Sequence, residues 1–146
     1  MSLAGLEHST DGGADRYAAS RRWLVGLTGL TTVGVLVGVQ GFLSGAFDPL
    51  VEQLAGSLEV SVGAVLPACA LGVGVGLPQT VALALGLRRH PKAGLVGLGA
   101  GAVLTGWVLV QLPLIGWTSP VQWVFLAVGL VEIAASILWL RSARVR

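Results

Sequence analysis

The stretch GWVLVQLPLIGWTSPVQWVFLAVGLVEI, residues 106–133, decides the fold of this chain. It is almost wholly apolar, yet it carries two amides, Gln111 and Gln122, and one carboxylate, Glu132. Ser119 and Pro120 divide it in the middle, and a serine followed by a proline is typical of the start of a helix. The stretch therefore predicts the end of one apolar helix, a tight turn, and most of a second helix.

The composition of the whole chain indicates a membrane protein. Of its 146 residues, 54% are hydrophobic and 11% are charged, whereas a soluble domain carries about 25% charged residues. The mean hydropathy is +0.83. The 22 glycines agree with this interpretation, because glycine lets transmembrane helices approach closely.

Four apolar runs reach the ~20 residues that a helix needs to cross a bilayer. They predict transmembrane helices over residues 23–47, 60–87, 93–117 and 121–140, which together form a membrane domain of residues 23–140. Long continuous runs favour helices over the short alternating strands of a membrane barrel. We therefore expect an all-α protein built as an antiparallel bundle of four transmembrane helices.

The positions of the charges predict the orientation of the bundle. All nine Lys and Arg residues lie in the N-terminal tail, in the RRHPK connection at residues 88–92, or in the C-terminal tail. Basic residues accumulate on the cytoplasmic side, so both termini are expected in the cytoplasm of a bacterium, with the bundle in its inner membrane. Residues 1–22 lack periodicity and predict a disordered cytoplasmic tail, and residues 141–146 form a basic cytoplasmic tail.

The first outer connection predicts a short helix on the membrane surface. Asp48 is expected as the N-cap, with Pro49 at the first helical position. Leu50, Leu54 and Leu58 then recur every four residues, which is typical of a helix with one apolar side.

Two of the predicted spans carry faces of small residues, and a third is interrupted by prolines. The faces are Gly34, Gly38, Gly41 and Gly45 in the first span, and Ala93, Gly97, Gly101 and Thr105 in the third. Both favour close helix contact, within the chain or between chains. In the second span, Pro67 and Pro78 predict kinks, and Pro78 leaves the carbonyl of Gly74 in need of a partner.

Several residues have ordinary structural interpretations. Trp23 and Trp139 are expected at one membrane interface and Trp117 and Trp123 at the other, with Trp107 packed deeper. Cys69, the one cysteine, is expected as a small buried hydrophobe. One cysteine and two separated histidines, in the tail and the basic loop, make no haem or zinc site. We therefore expect no metal, no cofactor and no catalytic residue.

Counting residues along the spans predicts a polar layer. Glu132 lies eight residues from Leu140, or about 12 Å along the helix. The same count in the other spans reaches Thr31, Gln79 and Gly101. Six candidate residues for a ligand site, an ion site or a structural polar core follow from this layer and its neighbours: Glu132, Gln79, Thr31, Thr80, Thr105 and Ser136.

The fourth predicted helix should turn one face into the bundle. Gln122 and Glu132 belong to a set with a spacing of three and four residues, which is typical of a buried helix face. The full set is Gln122, Phe125, Gly129, Glu132, Ser136 and Trp139. Gln40, Gln111 and Gln122 are expected in a second, looser polar layer near the outer boundary.

Three interpretations of Glu132 remain open at this stage. No Lys or Arg lies inside any predicted span, and an unpaired carboxylate in hydrocarbon favours its neutral form. Glu132 is then a structural residue that hydrogen-bonds its neighbours and locks the bundle, or a site that binds a proton or cation beside the Pro/Gly break of the second span. The third interpretation is a contact with a partner subunit or with lipid. A membrane enzyme needs more reactive groups at one depth, so catalysis is disfavoured.

The hairpin resembles a pattern of small, uncharacterised four-helix bacterial membrane proteins. Its residues are Trp107 and Gln111 at the end of one helix, then Ser119 and Gln122 at the start of the next. The resemblance covers less than a fifth of the chain and implies a membrane location without an activity. Three other families differ from this chain. Rotary proteolipid subunits differ in their polar loop, and small multidrug transporters differ in the position of their glutamate. Quinone-linked thiol oxidoreductases differ in their cysteine content.

The sequence leaves three expectations for function. The first is a small-solute or proton/cation-linked transport unit that uses Glu132. The second is a non-catalytic accessory or assembly subunit of a larger membrane complex, and the third is a lipid-modifying enzyme. The expected partners are the lipid bilayer and either further copies of the chain or a larger complex. Nucleic acid is not expected, because topology already explains the basic clusters.

Overall fold

A computed structural model describes residues 4–59, 61, 63–117 and 120–143. Every regular element within these ranges is a helix. The helices are α1 (Ala4–Leu43), α2 (Asp48–Leu58), α3 (Val65–Leu87), α4 (Ala93–Ile115) and α5 (Pro120–Ala143). Helix α3 has three parts: Val65–Cys69 and Leu77–Leu87 are α-helical, whereas Ala70–Gly76 between them is a π-helix.

Four of the helices are long and apolar enough to cross a membrane. The candidate spans are Tyr17–Leu43, Val65–Leu87, Ala93–Leu114 and Pro120–Ser142. Many large apolar side chains point away from the protein interior; Leu36 and Val73, for example, are 65% and 66% exposed. Apolar surface of this kind is compatible with lipid and costly in water. These are the features of a multi-pass membrane protein.

A glycine and a proline move two of the predicted span limits. Helix α1 ends at Leu43 rather than at residue 47, because the turn that follows needs Gly45 in the left-handed region, with φ 80°. Helix α3 begins at Val65 rather than at residue 60, so Pro67 lies in its first turn. The predicted kink at Pro67 is therefore wrong, since the first turn of a helix needs no N–H at that position.

The predicted short helix in the first connection is present as α2. It begins at Asp48, so Asp48 is its first residue and not its N-cap, and no side chain caps it. The Ser57 hydroxyl donates to the Leu114 carbonyl oxygen at 3.1 Å, which attaches α2 to the end of α4. Helix α5 begins at Pro120, as the Ser-Pro pair predicts, while Ser119 lies outside the described residues.

The N-terminal tail needs a correction. We predicted residues 1–22 as disordered, but α1 runs back to Ala4 as a continuation of the first span. Extending an existing helix costs little compared with nucleating one. Part of this extension packs on the bundle: the rings of Tyr17 and Trp139 lie 5.0 Å apart, and Arg21 Nε donates to the Gly86 carbonyl oxygen at 3.2 Å.

Two further interpretations are corrected by the observed burial. Trp139 is 1% exposed and belongs to the core, not to an interfacial belt. Cys69 is exposed and therefore faces outward from the bundle. Trp117 and Trp123, in contrast, are 63% and 46% exposed, and the Trp123 indole N–H donates to the Trp117 carbonyl oxygen. At the C-terminus, α5 continues to Ala143, and residues 144–146 lie outside the described part.

The small-residue faces are used inside the chain. A methyl group added at Gly38 would lie 2.7 Å from Leu71 of α3, and one added at Gly34 would lie 2.9 Å from Phe125 of α5. A methyl group added at Gly97 would lie 2.7 Å from Leu24 of α1. Glycine thus gives these helices room to approach one another closely, and the atoms that fill the space at these three positions belong to side chains.

Two apolar clusters form part of the core in the described part of the chain. The first, which we call the basic-end cluster, contains Leu24, Ala93 and Trp139. The second, which we call the far cluster, contains Val35, Val75 and Leu104. A polar layer around Glu132 separates the two clusters along the helices.

Candidate functional site

Glu132 is the centre of the polar layer. Its side chain is 0% exposed in the middle of α5. The Thr31 hydroxyl of α1 donates to Glu132 Oε1 at 3.1 Å, and Gln79 Nε2 of α3 donates to Glu132 Oε2 at 2.7 Å. Thr31 and Gln79 are themselves 0% exposed. One carboxyl group therefore joins three helices that are far apart in the sequence.

Helix α4 completes this layer with its backbone. Gln79 Nε2 lies 3.5 Å from the Ala100 carbonyl oxygen. At Gly101, an added methyl group would lie 3.0 Å from Glu132 Cβ and 3.0 Å from the Gly129 carbonyl oxygen. The absence of a side chain at Gly101 is what allows α4 to pass directly over Glu132.

Ser136 and Thr105 lie in the interface between α4 and α5, without a bond to Glu132. The Ser136 side chain is 0% exposed, and its Oγ has no hydrogen-bond partner among the described residues. The same is true of Thr105 Oγ1, which is buried against Gly129. Ser136 follows Glu132 by one helical turn. The two hydroxyls therefore flank the carboxyl group.

Thr80 does not belong to the polar layer. Its side chain is exposed, and its hydroxyl donates to the Gly76 carbonyl oxygen of its own helix at 2.8 Å. Consecutive helical residues point about 100° apart, so Gln79 and Thr80 cannot both face the bundle. The depth estimate placed Thr80 correctly along the helix but could not place it around the helix.

One buried acceptor next to Glu132 has no donor. Gln79 Oε1 is inaccessible and has no hydrogen-bond partner in the described part of the chain. Buried acceptors in proteins are normally satisfied. A protonated carboxyl group would supply the missing donor, because its O–H can donate to the amide oxygen while its other oxygen accepts from the amide nitrogen.

The surroundings of Glu132 contain no opposite charge at its depth. On each of the four spanning helices the nearest basic residue is nine residues from the layer, or about 13 Å along the axis. These residues are Arg22, Arg88, Lys92 and Arg141, and all four are exposed. A buried carboxylate without a nearby cation is costly, so the site favours the neutral acid or a bound cation.

The described residues offer oxygen atoms and no cluster of strong metal ligands. No group of three or more His, Cys, Asp and Glu side chains within these ranges could hold a metal ion. A small monovalent cation would instead find carboxyl, amide and hydroxyl oxygens, which are ligands that hard cations accept. The site therefore offers oxygen atoms of one carboxyl group, one amide and one hydroxyl.

The far cluster closes the polar layer on one side. Val35 follows Thr31 by one helical turn, and Val75 precedes Gln79 by one turn. Both valines are at most 6% exposed, and Leu104 of α4 packs with them at 2% exposure. Packed apolar side chains of this kind leave little room for water between them. Glu132 is therefore separated from the far end of the bundle by one apolar layer.

A cleft lies beyond the far cluster. It has a volume of about 560 Å³ and is lined by residues from all five helices, with Val35, Val75 and Leu104 among them. Its lining is apolar except for two amides, Gln111 and Gln122. Gln122 is 7% exposed, and its Oε1 has no partner among the described residues.

The π-helical part of α3 lies at the level of the far cluster, to which its Val75 belongs. Val75 and Gly76 are its last buried residues, and Gln79 follows within one turn. Pro78 has no N–H, so one carbonyl in the preceding turn loses its donor. The sequence predicted this weakness in α3 as a kink; the structure has a widened turn there. π-helical turns occur often at functional sites.

Sequence reasoning missed two parts of this region. The far cluster escaped because Val35, Val75 and Leu104 look like any other apolar residue of a span. Gln122 was assigned to the outer boundary, although its spacing from Glu132 already predicted a buried position. Gln40, which we grouped with Gln111 and Gln122, is exposed and does not line the cleft.

Comparison with models of protein families, with curated proteins and with solved structures finds no match to this chain. The resemblance of the hairpin to small four-helix bacterial proteins therefore stays a prediction. Function has to be argued from the site alone.

Proposed function

We propose that this chain is an inner-membrane protein of a bacterium, folded as an antiparallel four-helix bundle with both termini in the cytoplasm. The contacts between α1 and α3 support opposite directions, since Arg21 meets Gly86 whereas Gly38 meets Leu71. The basic residues share one end of the bundle, which is the cytoplasmic end by the positive-inside rule. Helix α2 then lies on the surface of the inner membrane that faces away from the cytoplasm.

We propose further that the protein is a small transport unit in which Glu132 binds a proton or a monovalent cation. One observation carries this proposal. Glu132 is completely buried where α1, α3 and α5 meet, with hydrogen-bond donors on both carboxyl oxygens and no basic residue at its depth. Ionisable groups inside membrane bundles mark ion and proton pathways by default.

Gln79 is the residue through which a change of charge would act. When Glu132 is ionised, it accepts from Gln79 Nε2, as at the observed distance of 2.7 Å. When Glu132 is protonated, its O–H donates to Gln79 Oε1, which otherwise has no donor. Gln79 follows the π-helical part of α3, so a change at the carboxyl group acts directly on the least regular helix.

The alternative of an accessory subunit loses its main support. It relied on glycine faces that were free to contact another protein. Gly34, Gly38, Gly97 and Gly101 are instead filled by side chains and backbone of the chain itself. The interpretation of Glu132 as a lock stays open, because its two hydrogen bonds also hold helices together, and the experiment below distinguishes it from a proton or cation site.

The test uses purified protein in liposomes that contain a pH-sensitive dye. A pH step is applied with the membrane potential clamped, and proton entry is followed for the wild type, Glu132→Gln and Glu132→Ala. Glu52→Gln, at an exposed glutamate of α2, is the matched control. The same series is repeated with a sodium gradient and a sodium-sensitive dye.

The proposal expects Glu132→Gln to fold normally, because an amide can still pair with Gln79, and to lower the flux to that of empty liposomes. Glu52→Gln should leave the flux unchanged. Wild-type flux no higher than that of Glu132→Gln, for both ions, would reject the transport function. If Glu132→Gln then also keeps its stability while Glu132→Ala unfolds, Glu132 has a structural role and its hydrogen bonds hold the helices together.

A further inference from the structure

The cleft at the far end of the bundle opens between α1 and α5. Its walls include Leu30, Val33 and Val37 of α1, which are 59%, 59% and 64% exposed, and Val124 of α5, which is 59% exposed. These residues lie inside the candidate spans. The mouth of the cleft therefore faces hydrocarbon, and an occupant enters from the bilayer rather than from water.

The lining selects an occupant without charge. The residues that line the cleft include no Asp, Glu, Lys, Arg or His. A charged group moved into such a space would lose its hydration without gaining a counter-charge. The volume of about 560 Å³ falls within the ~300–1,000 Å³ of small-molecule sites, which suits one apolar chain.

Gln122 adds a requirement for a hydrogen-bond donor. Its side chain is more than nine-tenths buried in the cleft wall, and its Oε1 has no partner among the described residues. A bulk acyl chain cannot satisfy this oxygen, because it has no donor. A hydroxyl group can, once the amide turns its oxygen, which solvent does not reach in this structure, toward the cleft. Gln111 lines the same cleft as a second amide.

We propose that the cleft binds a neutral lipid with a hydroxyl head group, its apolar chain between α1 and α5 and its hydroxyl donating to Gln122 Oε1. Phe47, directly before α2, and Leu50 of α2 also line the cleft. This proposal does not depend on Glu132, so Glu132→Gln should bind the same lipid. The class of ligand is a single-chain, long-chain alcohol.

The experiment uses the full chain in liposomes and a long-chain primary alcohol that carries a photoreactive diazirine in its tail. The probe is titrated, cross-linked by light and mapped by mass spectrometry. Unlabelled hexadecanol and its methyl ether serve as competitors. They have the same chain, but the ether cannot donate a hydrogen bond.

We expect saturable cross-links on residues of the cleft, displaced by hexadecanol and not by its methyl ether. Gln122→Leu should weaken binding by about tenfold, as expected for the loss of one buried hydrogen bond. Val124→Trp should block the mouth, since Val124 is exposed and its replacement does not disturb the core. Val131→Trp is the matched control, because Val131 lies two turns away on the same face and outside the cleft.

Three results would overturn the proposal. The first is uniform cross-linking along all lipid-facing helices, which would mean that bulk lipid fills the cleft. The second is equal competition by the alcohol and the ether, or unchanged binding in Gln122→Leu. The third is cross-linking of the cleft to a second copy of the chain. Because Val124→Trp alters only an exposed position, a folded protein is available even if Gln122→Leu fails to fold.

Discussion

Gly101 and Gly99 lie two residues apart on α4, yet they have opposite surroundings. A methyl group at Gly101 would meet Glu132 Cβ, the Gly129 carbonyl oxygen and Ile133 Cγ1, each at 3.0 Å. Nothing lies within 4 Å of a methyl group at Gly99. A backbone oxygen cannot move aside as the end of a side chain can, so the space at Gly101 is required for the contact between α4 and α5.

We therefore predict that Gly101→Ala destabilises the protein and Gly99→Ala does not. Overpacking at Gly101 should lower the free energy of unfolding by about 1–3 kcal/mol. At Gly99, the substitution only improves helix propensity, so the free energy of unfolding should stay equal or rise by up to about 1 kcal/mol. Titration with a denaturing detergent, followed by circular dichroism, measures both.

Equal stability of the two variants would contradict the observed contact between α4 and α5. Gly97→Ala offers a second measurement. A methyl group there would lie 2.7 Å from Leu24 and 2.8 Å from Ser136 Oγ. Since both neighbours are side chains that can adjust, the loss should be smaller than at Gly101.

At the scale of elements, α3 is the least regular helix of the bundle. Its π-helical part, Ala70–Gly76, is followed immediately by Leu77 and Pro78. Proline lacks the N–H that would bond the carbonyl of Gly74 in an α-helix. We therefore attribute the widened turn to Pro78. Both lie directly beside Gln79 of the polar layer.

We predict that Pro78→Ala tightens this part of α3. The new N–H should bond a carbonyl in the preceding turn, so amides of residues 70–76 should exchange with deuterium about tenfold more slowly. Hydrogen exchange with mass spectrometry, on the protein in detergent micelles, measures the rates. Pro113→Ala is the control, because Pro113 also lies inside a helix but next to no π-helical part.

Unchanged exchange in residues 70–76 of Pro78→Ala would mean that the π-helical geometry depends on tertiary packing rather than on the proline. Gly76 gives that alternative a physical basis, since a methyl group there would lie 2.8 Å from Val35. The close contact with α1 then holds the turn open without help from Pro78.

At the scale of the whole molecule, the distribution of charge predicts which end of the bundle faces the cytoplasm. The exposed residues Arg22, Arg88, Lys92 and Arg141 lie at one end, whereas the exposed residues Asp48, Glu52 and Glu59 belong to the connection at the other. Cys69, the single cysteine, lies within a span and is exposed there, so a charged reagent in water should not reach it.

We predict that a membrane-impermeant maleimide labels Glu52→Cys in intact spheroplasts and labels His90→Cys only after permeabilisation. Both positions are exposed, and both variants are made together with Cys69→Ala, which alone should not label. Labelling of His90→Cys from outside would reverse the orientation. It would leave the polar layer and the cleft unchanged, because these depend on contacts within the bundle.

Much of the fold could be predicted because hydrophobic length and charge act locally along the chain. The same holds for the buried face of α5, where Gln122, Glu132, Ser136 and Trp139 are each at most 7% exposed. Helix ends were predicted less well, since Gly45 and Pro67 act through the geometry of one turn. The helical N-terminal tail was predicted as disordered, because its helix is supported by contacts of Tyr17 and Arg21 with residues that are distant in the sequence.

The candidate site was partly predictable for the same reason. Counting residues from the charged ends gives depth, and depth brought Thr31, Gln79, Gly101 and Glu132 to one level. Counting gives no rotation, so it could not separate Gln79, which faces the carboxyl group, from Thr80, which faces away. It also gave no sign of the far cluster or of the cleft.

The sequence by itself determined that this chain has four helices that can cross a bilayer, with its basic residues at one end and one carboxyl group within the spans. A bilayer enforces this, because every backbone hydrogen bond must close within an apolar segment of sufficient length. Only the tertiary structure decided that Thr31 and Gln79 hold Glu132, that Gln79 Oε1 lacks a donor, and that a cleft opens beside Gln122. These features depend on how each helix is rotated against its neighbours, which packing between distant residues sets.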